Sequence, residues 1–180
     1  MTIELIKKEE ITANVWSGGK TNEYVIYPKG AQYANKDFMF RISSATIEAV
    51  PSEFTRFKGY KRYLSMLEGD LELYRQGKEE YYTPNSLFSF GSEEEIISYS
   101  LGKDFNLMLH QSIKDEIVEI SSDGVNINAV YLFIFALADN TVVVNDVCYS
   151  MQKYDCLLIV NEESNEISIT LAQKAIIGYW

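Results

Sequence analysis

The sequence predicts a mainly β chain built from two strand-rich units, and three observations carry that prediction. Apolar residues recur at every second position far more often than at helical spacing. Gly, Pro and Asn fall between many of the alternating runs as turn formers. The order of strands and turns in the first half is echoed in the second, roughly 70 positions later.

Taken in order, strands are expected over residues 21–27, 38–47, 63–74 (with a turn after Leu67), 87–90, 96–101 and 105–109. All are rich in β-branched and aromatic residues. The second half repeats the style over 117–120, 130–137, 141–144, 156–160, 167–171 and 175–180. Few windows hold helical spacing for longer than two turns, so a sandwich or barrel is expected rather than a βαβ fold. The joint falls near residues 112–123, where polar and charged residues concentrate and Ser121-Ser122-Asp123-Gly124 marks a turn. No low-complexity linker separates the halves, so they are expected to share a packed interface.

Composition narrows the function classes. Of 180 residues, 47% are apolar, enough for a real core. The longest apolar stretch, 131–138, is far shorter than the roughly 20 residues that span a bilayer. The N-terminus lacks the basic and apolar regions of a signal peptide, so a cytoplasmic protein is expected. Net charge is −10, from 26 acidic and 16 basic side chains, which repels phosphate backbones and anionic lipid. Neither nucleic acid nor membrane is therefore an expected partner. A local positive field inside a pocket remains compatible with that charge. Two cysteines, Cys148 and Cys156, are not a disulfide framework.

Three familiar motifs are excluded. Gly18-Gly19-Lys20-Thr21 ends like a phosphate-binding loop, but Asn14 stands where another Gly is needed, and a strand follows instead of a helix. A metal site needs three or four converging ligands, whereas His110 is the single histidine and the cysteines are not in a Cys-x-x-Cys pair. Consecutive Glu93-Glu94-Glu95 side chains alternate in direction along an extended chain. No metal and no cofactor are expected. Nucleophilic catalysis would have to rely on His110 alone, and no catalytic residue is assigned. Asp104, Asn106, Met108 and His110 share one strand face, which would put His110 at the end of a polar row lining a cavity.

The same face rule gathers further polar groups. Thr21 and Glu23 share a face, as do Met39, Arg41 and Ser43, and as do Arg62, Leu64 and Met66. If these faces point into one barrel, its lumen holds Glu23, Arg41, Arg62 and Asn106, with Met66 and Met108 as apolar lining. A buried guanidinium needs a carboxylate, carbonyls or a bound anion. Glu23 satisfies one arginine, and the second then becomes a bidentate receptor for a ligand carboxylate. The alternative, that both arginines reach the surface or form internal salt bridges, stays open at this level.

Ordered motifs from about residue 5 to residue 110 resemble a known family. Trp16-Ser17-Gly18-Gly19-Lys20-Thr21-Asn22-Glu23 is similar to its Trp-x-Gly-Gly-x-Thr-x-Glu opening, and Phe38-Met39-Phe40-Arg41-Ile42-Ser43-Ser44-Ala45 to its aromatic-x-x-Arg-x-Ser-x-Ala strand. Phe54-Thr55-Arg56-Phe57-Lys58-Gly59-Tyr60-Lys61-Arg62 resembles its Phe-Ser-x-Phe-Pro-Gly-x-x-Arg segment. Phe88-Ser89-Phe90-Gly91 and Gly102-Lys103-Asp104-Phe105-Asn106-Leu107-Met108 resemble its Phe-x-Phe-x-Gly and Gly-x-x-Asp-Phe-Asn-x-Met stretches. The family is HutD/Ves. Beyond residue 120 the likeness is one of strand pattern alone.

The resemblance implies a bicupin, two packed double-stranded β-helix (jelly-roll) barrels in one chain. Residues 1–115 would form the barrel that carries the motifs. Residues 116–180 would form a second barrel, sharing strands and core with the first. It also implies a cytoplasmic protein without an established enzymatic activity. HutD is associated with histidine utilisation and the sensing of a metabolite such as formylglutamate or urocanate, and Ves with stress. The matching polar positions, taken as ligand-binding, are Trp16, Thr21, Glu23, Arg41, Ser43, Arg62 and Asn106. The chain departs from the pattern at Pro51-Ser52-Glu53-Phe54-Thr55, where the family has Gly-Pro-Phe-Ser, and at Lys58, where it has proline. The two-His, one-Glu motif of metal-bearing cupins is absent.

The expected function is metal-independent binding of a small carboxylated metabolite, with a regulatory role in amino-acid (histidine) utilisation or stress response. Arg41 and Arg62 would anchor the anion, Glu23 and Asn106 orient it, and Trp16 close one wall. Two alternatives are kept. One is a metal-free isomerase or lyase using Glu23 or His110 as acid and base. The other is a structural protein with a filled first barrel, Tyr131, Phe133 and Phe135 packing an inter-barrel or homodimer face.

Overall fold

A computed structural model describes all residues, 1–180. Its strands, in order, are β1 (Thr2–Ile6), β2 (Asn14–Trp16), β3 (Gly19–Tyr27), β4 (Phe40–Ile47), β5 (Ser52–Glu53), β6 (Tyr60–Glu68), β7 (Leu71–Arg75), β8 (Lys78–Tyr82), β9 (Phe88–Gly91) and β10 (Ile96–Ser98). They continue with β11 (Gly102–His110), β12 (Ile117–Ser121), β13 (Val125–Asn128), β14 (Tyr131–Ala136), β15 (Asn140–Val144), β16 (Val147–Met151), β17 (Cys156–Val160), β18 (Glu166–Leu171) and β19 (Ala175–Tyr179). The only helical pieces are two single 3-10 turns, Lys8–Glu10 and Tyr33–Asn35. The mainly β expectation holds.

The chain divides into two compact units, residues 11–113 and residues 1–10 with 114–180. In the first, a six-stranded sheet (β2-β3-β4-β11-β6-β9) accompanies a four-stranded one (β5-β10-β7-β8). Leu64, Met66 and Phe90 of the larger sheet share one apolar cluster with Leu71, Leu73 and Ile96 of the smaller. Area removed from water in that cluster is the main term holding the sheets face to face. Sequence grouping assigned residues 1–115 to one barrel, but β1 pairs along its whole length with β17, Thr2 opposite Val160 and Ile6 opposite Cys156. Residues 1–10 therefore belong with the later residues, because β17 would otherwise present a free hydrogen-bonding edge.

The second unit has a five-stranded sheet (β1-β17-β14-β19-β12) and a four-stranded one (β13-β18-β15-β16). Its cluster is aliphatic, with Leu132, Ile134 and Leu157 from one sheet meeting Val142, Ile167 and Ile169 from the other. Alternation decides this: β18 reads exposed-buried throughout, sending Ile167, Ile169 and Leu171 inward. Cys156 on β17 is fully buried, and that burial pushes its thiol up, whereas Cys148 on β16 is exposed. A thiol reagent should therefore titrate one cysteine in the folded protein and the second only after denaturation. Two reactive thiols in the native state would contradict that placement.

Six strands escaped the alternation rule: β1, β2, β5, β8, β13 and β16. Each lies at a sheet edge. An edge strand pairs on one side and need not bury an alternating face, so Lys78–Tyr82, for example, is mostly charged and aromatic. The turn expected after Leu67 is the Gly69 turn (φ 83), and it separates β6 from β7 into different sheets.

Candidate ligand-binding site

The Gly18-Gly19 pair makes a hairpin, not a phosphate loop, since β2 and β3 pair with Trp16 opposite Gly19 and Asn14 opposite Thr21. The Trp16 indole lies over Gly18, where any Cβ would collide with the ring. Gly19 has φ 152, and a Cβ there would be driven into the Thr46 carbonyl. The glycines thus bring Trp16 and β2 onto the rim of a cavity in the first unit.

That cavity has a volume of about 500 Å³ and is open on one side, with Trp16 and Val15 exposed at its rim. Its polar wall follows from strand register, because residues paired across antiparallel strands point to the same face. Glu23, Ser43, Asn106 and Leu64 form one cross-strand row over β3, β4, β11 and β6. Arg41, Met108 and Arg62 form the next row, and Ala45, Asp104 and Met66 the row on the other side. A bulge after Glu23 leaves Tyr24 unpaired and turns Val25 to the Ile42 side. Glu23 thereby stays opposite Ser43, within reach of Arg41.

All seven residues singled out in the sequence line this cavity: Trp16, Thr21, Glu23, Arg41, Ser43, Arg62 and Asn106. Arg41 donates through Nε to Glu23 Oε2 at 2.6 Å and through Nη1 to Ser43 Oγ at 3.0 Å, with its guanidinium 4.4 Å from the Tyr33 ring centroid. Arg62 is different. Its Nε donates to Asn106 Oδ1 at 3.4 Å and its Nη1 to the Thr55 carbonyl at 3.2 Å. The guanidinium lies against the Phe54 and Phe90 rings, 5.5 and 5.3 Å from their centroids, and it is buried. No carboxylate forms an ion pair with it. Desolvation, with Arg41 nearby, lowers its pKa against the opposing pull of Tyr33 and Asp104. Of the two readings open at the sequence level, Arg41 follows the internal salt bridge and Arg62 the unpaired cation.

Sequence reasoning left Asp104 out of the site. It lines the cavity, is 5% exposed, and accepts a hydrogen bond from the Ala45 amide at 3.1 Å through Oδ1. Burial pushes its carboxyl up to about 6, with the Ala45 N–H, Arg62 and Arg41 limiting the rise. Its presence two residues from Asn106 on one strand face was the available signal. Tyr33, Phe54 and Thr55 were also missed as wall residues, since they come from a 3-10 turn and a loop without strand periodicity. A raised carboxyl penalises the folded state once the side chain must ionise in its buried place, so the folded state is favoured most below about 4, where Asp104 is protonated in both states. Stability should thus fall as pH rises from about 4 through about 6. Asp104→Asn should flatten that slope and raise the melting temperature at pH 7.5, as read by thermal melts across pH.

Three expectations are corrected. Met66 and Met108 are not cavity lining, because they turn into separate apolar clusters, Met66 with Leu71 and Leu73, and Met108 with Phe38, Phe57 and Tyr60. His110 shares their strand face but lies outside the cavity. Its Nδ1 accepts from the Ser112 amide at 3.2 Å, lies 2.8 Å from Ser112 Oγ, and its ring stands edge-on to Tyr60. The filled first barrel of the structural reading is not observed, because the cavity occupies that place. No three His, Cys, Asp or Glu side chains are grouped so as to hold a metal ion.

Comparison with known proteins accords with this geometry. A HutD family model matches residues 8–177. HutD from Pseudomonas fluorescens SBW25, in a formate condition, is 21% identical over 99% of this chain and 97% of that one, with a TM-score of 0.83. The conserved protein of unknown function PA5104 from Pseudomonas aeruginosa PAO1 has the same identity, coverage and TM-score. A cupin 2 conserved barrel domain protein from Leptotrichia buccalis superposes with a TM-score of 0.60 at 8% identity, over 99% of this chain and 96% of that one. At such identities the solved structures attest the fold, a cupin fold, while the family match spans nearly the whole chain. The chain belongs to the HutD family.

Proposed function

We propose that this protein binds a small carboxylated metabolite in the cavity of its first unit, anchoring the carboxylate on Arg62. One observation carries the reading: Arg41 has its Glu23, and Arg62 has only an amide oxygen and a carbonyl. A buried cation without a counter-ion is costly, and a ligand carboxylate relieves that cost through charge-assisted, bidentate hydrogen bonds. Contact with Phe54 and Phe90 and the bonds to Asn106 and Thr55 already restrain the guanidinium, so little side-chain freedom is lost on binding. Glu23, Ser43 and Asn106 orient the ligand from the same wall, and Trp16 covers it at the rim. The role is regulatory, a metabolite sensor in cytoplasmic amino-acid utilisation, histidine included, or in a stress response. Family membership supports that direction. The test is a thermal-shift screen of small carboxylates that includes formylglutamate and urocanate. Stabilisation should follow RT ln(1 + [L]/Kd), about 2.7 kcal/mol at 100 Kd. A screen in which no carboxylate shifts the melt would remove the proposal.

A metal-free isomerase or lyase is the second reading, favoured by one observation. Asp104 is a buried carboxyl at about 6, within the range where a general acid or base works near neutrality. It displaces His110 from that part, and turnover lost in Asp104→Asn with binding retained would identify it.

A further inference from the structure

The charge pattern of the cavity says more about the ligand than that it carries a carboxylate. The ionisable groups facing the cavity beside Asp104 are Glu23 on β3, Arg41 on β4, Arg62 on β6, Tyr33 and Glu53. Glu23 and Arg41 neutralise each other at 2.6 Å, and Glu53 is paired at 3.0 Å with exposed Arg56. Two unpaired charges of opposite sign are left, the Arg62 guanidinium and the Asp104 carboxylate, and both side chains are more than nine-tenths buried. Asp104 Oδ1 is held by the Ala45 amide, and no protein donor is bonded to Oδ2.

Both open on one stretch of the cavity wall. Arg62 Nε is tied to Asn106, and Asp104 stands two residues further along the same face of β11, a backbone step of about 7 Å. The two charges act on each other through space, which puts them within reach of one small ligand that offers a charge-assisted hydrogen bond to each. A ligand with only negative charge would leave Asp104 facing a like charge in a desolvated place, which is unfavourable. A ligand of net zero charge with one group of each sign complements both.

We infer that the ligand is a zwitterionic amino acid, its carboxylate on Arg62 and its ammonium on Asp104. The inference rests on the carboxylate reading above and names its substrate class. Ile47, Val15 and Trp16 then form an apolar wall available to the side chain. Asp104 is the group that separates an amino acid from its deaminated or N-acylated relatives.

Calorimetry on the full chain tests this with two matched sets: L-histidine against urocanate, and L-glutamate against N-formyl-L-glutamate and glutarate. In at least one set the free amino acid should bind about tenfold or more tighter than its relatives, as a hydrogen bond to a charged group implies. Asp104→Asn should bring the members of that set level while carboxylate binding persists. A second readout needs no variant. Near pH 6 the ammonium favours ionised Asp104, so amino-acid binding should release protons, detected as a buffer-dependent binding enthalpy, whereas a plain carboxylate should take protons up. Tighter or equal binding of urocanate, formylglutamate or glutarate, without proton release by the amino acids, overturns the zwitterion and leaves the carboxylate site standing. Failure of every member to bind overturns both.

Discussion

Arg62→Ala should lower the affinity for any carboxylate bound in the cavity by about a hundredfold or more, with the fold retained. The loss combines a bidentate charge-assisted pair with the desolvation that the ligand carboxylate would still undergo, about 3 kcal/mol or more together. Stability should change little in the absence of ligand. The variant loses the cation–ring contacts with Phe54 and Phe90 but also removes a desolvated cation without a salt bridge, and the two terms oppose each other. Thermal shift and calorimetry on parent and variant separate the outcomes. A variant that responds to carboxylates as the parent does would show that Arg62 is structural. Arg62→Lys should recover only part of the affinity, because a point charge lacks the planar fork and does not stack in the same way.

The second large effect is on folding. Ile134→Ala should destabilise the protein by about 2–5 kcal/mol, the cost of a buried cavity with limited relaxation. Ile134 is fully buried on β14, between β17 and β19, opposite Leu157 and Ile177, which belong to the same aliphatic cluster. Neighbours on both sides of a central strand cannot shift inward without breaking two ladders, so the void stays open. Denaturant unfolding measures the difference. A loss under about 1 kcal/mol would mean that the cluster collapses around the gap. Because Ile134 is absent from the walls of the ligand cavity, affinity should be unchanged in the fraction that remains folded.

Much of this is legible in the order of residues alone. Period-two alternation located the buried strands, since a strand with neighbours on both sides must bury at least one face. It did not locate β1, β2, β5, β8, β13 and β16, which are edge strands, and the partner of β1 lies 150 to 158 positions away in the sequence. Face parity placed Glu23, Arg41, Ser43, Arg62 and Asn106 on one wall, and the register bears this out residue by residue. Parity alone misjudged Met66, Met108 and His110. They have the right strand face but lie further along their strands, where aromatic and aliphatic neighbours fill the space.

The amino-acid sequence by itself determined the class of fold, the strand-borne polar residues Thr21, Glu23, Arg41, Ser43, Arg62 and Asn106 of the wall, and the presence of two arginines with one glutamate to share. These follow from local rules of alternation and charge. Only the tertiary structure decided which arginine Glu23 takes, and that Asp104 is buried beside the other without an ion pair. That choice depends on a bulge after Glu23 and on the rings of Phe54 and Phe90, contacts made between distant segments. Desolvation, the term that makes Arg62 and Asp104 receptive, exists only once the sheets have closed around them.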